Sequence, residues 1–362
     1  MASFPSRNAR TPRCARKART GRVVRSLLPL LLAAVLALPW LAGCGGPTGG
    51  PTDGPTDGQG DSPLVVTTLF PLYDFARSLL GPVARVTLVL PPGMEPHSYE
   101  PTPQDVVRMR TAAVFVYTGP AMEPWVAGLA GRLDDDGVRV VEASQGIPLM
   151  GHDPEDDHDD GETGQDGEDA HAGDDEHGDE ELDPHVWLDP TLAARMVTRM
   201  ADAFVEAFPV ETDGIRTREA ELHRRLDELD RAFLALFERT DQRTLLYGGH
   251  SAFRYFGLRY GLTFVSPYPG FSPSAEPTVQ RLVELGQILE TLPVRTIFHE
   301  ELVDPRVAAV LAEKAGARLV LLHGGHNVSP AEMEAGATYF SIMEDNLLRL
   351  EEGLGLGEPT DG

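Results

Sequence analysis

The chain has 362 residues, a formal net charge of −25 and 41% hydrophobic residues. That is enough length for two domains of ordinary size and enough apolar sequence for real cores. So acidic a surface is repelled by a phosphate backbone, which argues against nucleic acid as a partner and fits a cationic ligand.

The first 43 residues read as an export signal. Eight Lys and Arg lie between Arg7 and Arg25 with no acidic residue among them, the apolar run from Leu27 to Leu41 follows, and Leu41-Ala42-Gly43-Cys44 ends it. About 15 apolar residues fall short of the roughly 20 that a membrane span needs. The tetrapeptide resembles the bacterial lipobox, and by that resemblance Cys44 carries a lipid anchor. Cys14 lies in the part removed, so the mature chain keeps one acylated cysteine and forms no internal disulfide. Without the signal, 23 Lys and Arg stand against 56 Asp and Glu, and the charge deepens to −33. Residues 44–63, built of Gly, Pro, Thr and Asp, are a solvated tether with nothing to bury.

Folded sequence begins at Leu64. Short apolar runs at 64–70, 84–90, 112–119 and 137–143 alternate with helical patterns. The alternation repeats with TLLYGGH (244–250), LTFVSPYP, VRTIFHEE (294–301) and ARLVLLHGG, spaced by helices at about 277–292, from Asp304, and from Ser329 to about Gly353. Strands spaced by helices predict mainly parallel sheets flanked by helices, hence two α/β lobes over residues 64–189 and 242–353, with a tail at 354–362. Between them, residues 190–241 have few breakers, and Leu222, Leu226, Leu229 and Phe233 recur at helical spacing, with Pro209 and Gly214 marking an interruption. A long helical bridge would be stiffer than two crossing strands. From Gly151 to Pro184 there are seventeen Asp and Glu, the histidines His152, His158, His171 and His177, and no Lys or Arg. Such a tract cannot pack a core and is expected to be a disordered surface loop.

Four further histidines sit just beyond strand ends. His97 lies in PPGMEPHSYEPTPQD, His185 in DPHVWLDP, His250 closes LLYGGH, and His323 follows ARLVLL with His326 three residues on. In α/β lobes, ligands bind in the crevice beyond the carboxyl ends of the strands, where these loops belong. Imidazole suits zinc, which takes about four nitrogen, sulfur or oxygen ligands in a tetrahedron. The mature chain has no free cysteine, so histidines and carboxylates are the candidates.

PPGMEPHSYEPTPQD, DPHVWLDP, HSAFRYFGLRYGL, IFHEELVDP and GATYFSIMEDNLLRL resemble the motifs of the zinc and manganese solute-binding proteins of bacterial ABC importers, the ZnuA-like and TroA-like family, over residues 64–352. The resemblance implies two α/β lobes bridged by a long helix with the metal between them, and no enzymatic activity. It implies His97, His185 and His250 as metal ligands. The fourth family ligand is often an Asp after the strand that ends here at Leu322. His323 takes that place and is preferred as fourth ligand, with His326 as the alternative. Zn2+ is the implied cargo, since imidazole in place of a carboxylate disfavours manganese, although ligand type alone also admits copper. The implied partners are a permease and an ATPase, the implied state a monomer held on the outer membrane face through Cys44.

The acidic loop would capture cations loosely, its histidines standing 6, 13 and 6 residues apart. Glu100, Asp183, Asp189, Glu276 and Glu300 are candidates to accept the outer N–H of the ligands, while Tyr99, Trp187, Phe253 and Tyr255 are expected to pack the lobe interface. A zinc hydrolase is the main rival, but no HExxH occurs: His299-Glu300-Glu301-Leu302-Val303 lacks the second histidine. An adhesin or a metal store is the other. Neutral ligands imply that affinity falls below about pH 6.5.

Overall fold

The computed structural model describes residues 62–151, 182–268, 270–271, 278–291 and 295–357. The segment expected to be an export signal, Cys44, most of the expected tether, His152, His158, His171, His177 and Glu276 lie outside them.

The first sheet comprises β1 (Leu64–Thr67), β2 (Arg85–Leu88), β3 (Val114–Tyr117) and β4 (Arg139–Glu142), all parallel in the order β2-β1-β3-β4. The second comprises β5 (Thr244–Tyr247), β6 (Thr263–Val265), β7 (Thr296–His299) and β8 (Arg318–Leu321), all parallel in the order β6-β5-β7-β8. The two sheets therefore share one winding. The α/β class expected from the alternating pattern is the class observed. In each sheet the order reverses beside the first strand, which opens a crevice at the carboxyl ends. In the second sheet, His250 stands three residues after β5, and Glu300 and Glu301 directly follow β7. In the first sheet the same place is filled by Glu123, a buried carboxylate that accepts from Thr68 Oγ1 (2.5 Å), Thr118 N and Gly119 N. Burial pushes it up to about 7.

The helices around the first sheet are α1 (Phe70–Leu80), α2 (Pro103–Arg110) and α3 (Ala130–Asp135). Thr102 starts α2 with a reciprocal capping box to Asp105, and Pro103 occupies the first turn, where a missing N–H costs nothing. The bridging stretch forms α4 (Pro190–Ala207) and α5 (Thr212–Phe237), which pack on each other with a 3-10 turn at Pro209–Glu211 between them. Pro209 does mark the break. Gly214 does not: it lies inside α5, where neighbouring good helix formers carry it. Along α5 the residues Ile215, Leu222, Leu226, Leu229, Phe233 and Leu236 are buried, the stripe a helix needs to face a core. At 1.5 Å per residue, its 26 residues span about 39 Å. That length lets α5 touch α1 at one part and α6 (Arg254–Tyr260) at another.

The second sheet is flanked by α6, α7 (Val279–Thr291) and α8 (Arg306–Ala315). The single last helix expected from Ser329 onward is two. α9 (Pro330–Glu334) stops at Gly336, whose φ of 79° only glycine adopts readily, and α10 (Tyr339–Gly353) restarts from a Thr338 capping box. α10 packs on β7 and β8 of the second sheet and also on α1 and α5. One buried apolar cluster accordingly runs from Val65 and Leu72 through Met196, Phe204 and Phe233 to Tyr247, Phe340 and Leu350. At about 1.5–3 kcal/mol for each fully buried large apolar side chain, this continuous core resists parting of its two ends.

Candidate metal centre

His97, His185, His250 and His326 each place one ring nitrogen within 4.8 Å of the others. The Nε2 of His185 lies 3.3 Å from that of His97 and 3.2 Å from that of His250. A tetrahedron with metal–nitrogen bonds of about 2.0–2.1 Å has edges of about 3.3–3.4 Å, so the spacing is that of zinc ligands.

The outer nitrogens explain why Nε2 faces inward. His185 Nδ1 donates to Asp183 Oδ1 (2.8 Å), and the same oxygen accepts the His185 backbone N–H (2.9 Å). His250 repeats the device with Glu300 Oε2, which takes Nδ1–H (2.5 Å) and the backbone N–H (3.3 Å). His326 Nδ1 donates to Glu301 Oε1 (3.1 Å). Each bond places the proton on Nδ1 and leaves the Nε2 lone pair pointing into the cluster. Lone pairs converging at hydrogen-bond distance repel unless a cation stands among them. The Nε2 of His326 is buried without a hydrogen-bond partner among the described residues, as a ligand atom would be. A cavity of about 20 Å³, lined by Glu95, Pro96, His250, Glu300, Glu301, Leu302, Val303 and His326, borders the cluster.

The structure brings His326, not the preferred His323, to the other three. Asn346 of α10 clamps the His323 backbone from both sides, accepting its N–H and donating to its carbonyl, each at 2.8 Å. The His323 ring is turned so that Nδ1 accepts the Gly325 N–H (2.9 Å). Gly325, at φ 71°, then leads the chain into a bend at His326. Trp187 Nε1 donates to Gly324 O (2.9 Å), and its ring packs edge-on against both His185 and His326.

Of the carboxylates proposed for the outer N–H bonds, Asp183 and Glu300 serve. Asp189 instead caps α4 through Thr191 N. Glu301 was overlooked, although IFHEELVDP sets it beside Glu300. Burial raises its pKa, but the His323 charge, the His326 N–H and the Gly324 N–H outweigh this and hold it at about 2. Tyr255 packs the site from outside, its hydroxyl donating to Asp183 O (2.8 Å), whereas Tyr99 bonds Asp105 and Phe253 stacks within the second lobe.

Burial, and then the charges of His250 and His326, bring the His97 pKa down to about 2. Burial, and then His326, His250 and His97, push His185 well below 6.5. Both rings stay neutral far below pH 6.5, so at these two positions the acid loss of affinity moves lower than an unperturbed imidazole implies. Metal-free stability follows the same shifts. Each folded value lies below the unfolded one, so stability is full above pH 6.5 and falls as pH drops below it. The loss is up to about 1.4 kcal/mol per pH unit for each histidine. His323 acts in the opposite sense: burial lowers its pKa, but Glu301 and Glu332 raise it on balance, so its contribution is full below 6.5 and fades as pH rises. Denaturant titration of chelator-treated protein is expected to give lower stability at pH 5.5 than at pH 7, with a flatter dependence in His97→Gln. Equal stability at both pH values would contradict the burial of these rings.

The family described as "Zinc-uptake complex component A periplasmic" matches residues 65–353. The chain belongs to this family. The zinc-binding lipoprotein AdcA of Streptococcus pneumoniae is 32% identical over 328 residues, a match covering 90% of this chain and 60% of that protein. The chain thus spans about 60% of that relative's length. The high-affinity zinc uptake system protein ZnuA of Bacillus subtilis is 33% identical over 296 residues, covering 82% of this chain and 89% of that protein. Among solved structures, the Zn(II)-bound ZnuA-like domain of Streptococcus pneumoniae AdcA matches with a TM-score of 0.66 at 30% identity, covering 81% of this chain and 99% of that domain.

Proposed function

We propose that the chain is the extracytoplasmic receptor of an ABC importer, capturing Zn2+ between its lobes and handing it to a membrane permease. The observation that carries this reading is the convergence of four imidazoles at tetrahedral spacing, three of them oriented by buried carboxylates. His97 follows β2 and His185 precedes α4 on one side, while His250 and His326 follow strands of the second sheet on the other. A metal held from both sides is released when either side shifts, so docking on the permease need disturb only one pair. Four imidazoles fill the tetrahedron, which leaves no position for the activated water that a zinc hydrolase requires. All-nitrogen ligation supports zinc over manganese, which favours oxygen ligands. Acylation at Cys44, tethering through residues 44–63, lobes bounded at 64–189 and 242–353, and action as a monomer complete the reading. Membership of a family whose relatives are named zinc-binding lipoprotein and zinc uptake protein supports it.

The acidic segment is assigned an auxiliary role, loose capture of cations before transfer to the cluster. Gly151 and Leu182 pair as an antiparallel bridge, so residues 152–181 can be removed and the ends joined by a short turn. Competitive titration with zinc, manganese and copper is expected to find one tight zinc site in both the full-length and the shortened chain, with manganese weak in each. Loss of tight zinc binding on deletion would place the main site in His152, His158, His171 and His177 and undo the reading.

A further inference from the structure

His97 differs from the other three histidines of the cluster. It is the least buried of the four, and among the described residues no carboxylate bonds its ring. Something else must hold it.

Its loop begins with Pro91-Pro92-Gly93-Met94, a tight turn closed by Met94 N donating to Pro91 O (3.2 Å), with Gly93 at φ 86°. Glu95 then accepts the backbone N–H groups of His97 (2.9 Å) and Ser98 (2.8 Å), so the position of the turn passes directly to His97. The turn is itself held from far along the chain. Asn327, fully buried, donates both Nδ2 hydrogens to it, one to Pro91 O (2.8 Å) and one to Met94 O (2.9 Å). Its Oδ1 accepts Val328 N (2.9 Å), and Gly93 N donates back to Val328 O (2.8 Å). Asn327 is the residue after His326, whose own carbonyl accepts Phe70 N, the first amide of α1 (3.2 Å). One amide side chain therefore ties the loop of the fourth ligand to the loop of the first.

We propose that Asn327 is a positioning residue for metal capture: by fixing the 91–94 turn it sets where His97 closes the coordination sphere, and so governs how slowly bound zinc leaves. The proposal rests on the four-histidine reading above. Only an uncharged amide suits the position, since it must supply two donors to carbonyls and one acceptor to an N–H. Asn327→Asp keeps the shape and the acceptor but turns a carboxylate toward two carbonyls. Asn327→Ala removes all three bonds.

The test is the rate of zinc loss to excess chelator by stopped flow, in wild type, Asn327→Asp, Asn327→Ala, His97→Ala and the double variants with His97→Ala, each first checked for a cooperative thermal transition. About tenfold or faster loss is expected in both Asn327 variants, as when a partner that orients a metal ligand is removed. No further acceleration is expected once His97 is gone. A rate within twofold of wild type, or an acceleration that persists undiminished in the His97→Ala background, would overturn the proposal. If Asn327→Ala does not fold, the Asp variant and its double decide the matter alone. A wild-type chain without a saturable zinc site would remove the functional reading and this inference with it, a result distinct from normal wild-type binding with unaltered variants.

Discussion

His185→Ala is expected to weaken zinc binding about 100- to 1000-fold. Structural zinc sites with four ligands are worth about 10–16 kcal/mol, or roughly 2.5–4 kcal/mol per ligand, and 1.4 kcal/mol is a factor of ten. His185 is the centre of the cluster: it is fully buried, and its Nε2 is within 3.3 Å of both His97 and His250. Its loss also removes the ring N–H that Asp183 accepts, one of the bonds to a buried carboxylate, so some loss of fold stability is expected alongside. Competition against a chromophoric chelator measures the affinity, and a circular dichroism melt measures the fold. A loss under tenfold in a folded variant would mean that the ring is structural.

The second large effect separates the two candidates after β8. His326→Ala is expected to cost about as much as loss of any ligand, roughly 100-fold or more. His323→Ala is expected to change zinc affinity by less than about tenfold, because its ring faces Glu301 and Glu332 and its backbone is clamped by Asn346. Its effect should appear in stability instead, since Gly325 N loses its acceptor and Glu301 and Glu332 lose the ring they face. Parallel titrations of the two variants check this, and the reverse ranking would restore His323 as the ligand. His326→Asp is expected to raise manganese binding relative to zinc, since it restores an oxygen ligand.

These outcomes bear on how far the chain can be read without its fold. Both sheets were legible because parallel strands buried on both faces leave continuous runs such as LVVT and VFVY, set apart by helical segments. His97, His185 and His250 stood out because each lies in a short glycine- or proline-punctuated motif, two of them in loops after strands and His185 just before the 3-10 turn that leads into α4. That His326 rather than His323 would stand beside the other three was not legible. It depends on Asn346, a residue 23 positions away, and on the positive φ of Gly325, which three residues of sequence do not announce. Glu301 was hidden by Glu300, since neighbours after a strand usually face opposite ways. Here both carboxylates reach the cluster, Glu300 at His250 and Glu301 at His326. Asn327 is a tertiary device with no local signature, because its partners lie 236 and 233 residues earlier.

Zinc K-edge X-ray absorption on the chain lacking residues 152–181, loaded with one equivalent of zinc, tests the central claim most directly. Four nitrogen scatterers at about 2.0–2.1 Å with imidazole outer-shell features are the expected result. A first shell containing oxygen, a coordination number of five or six, or no zinc retained once the acidic segment is removed would contradict a four-histidine site between the lobes.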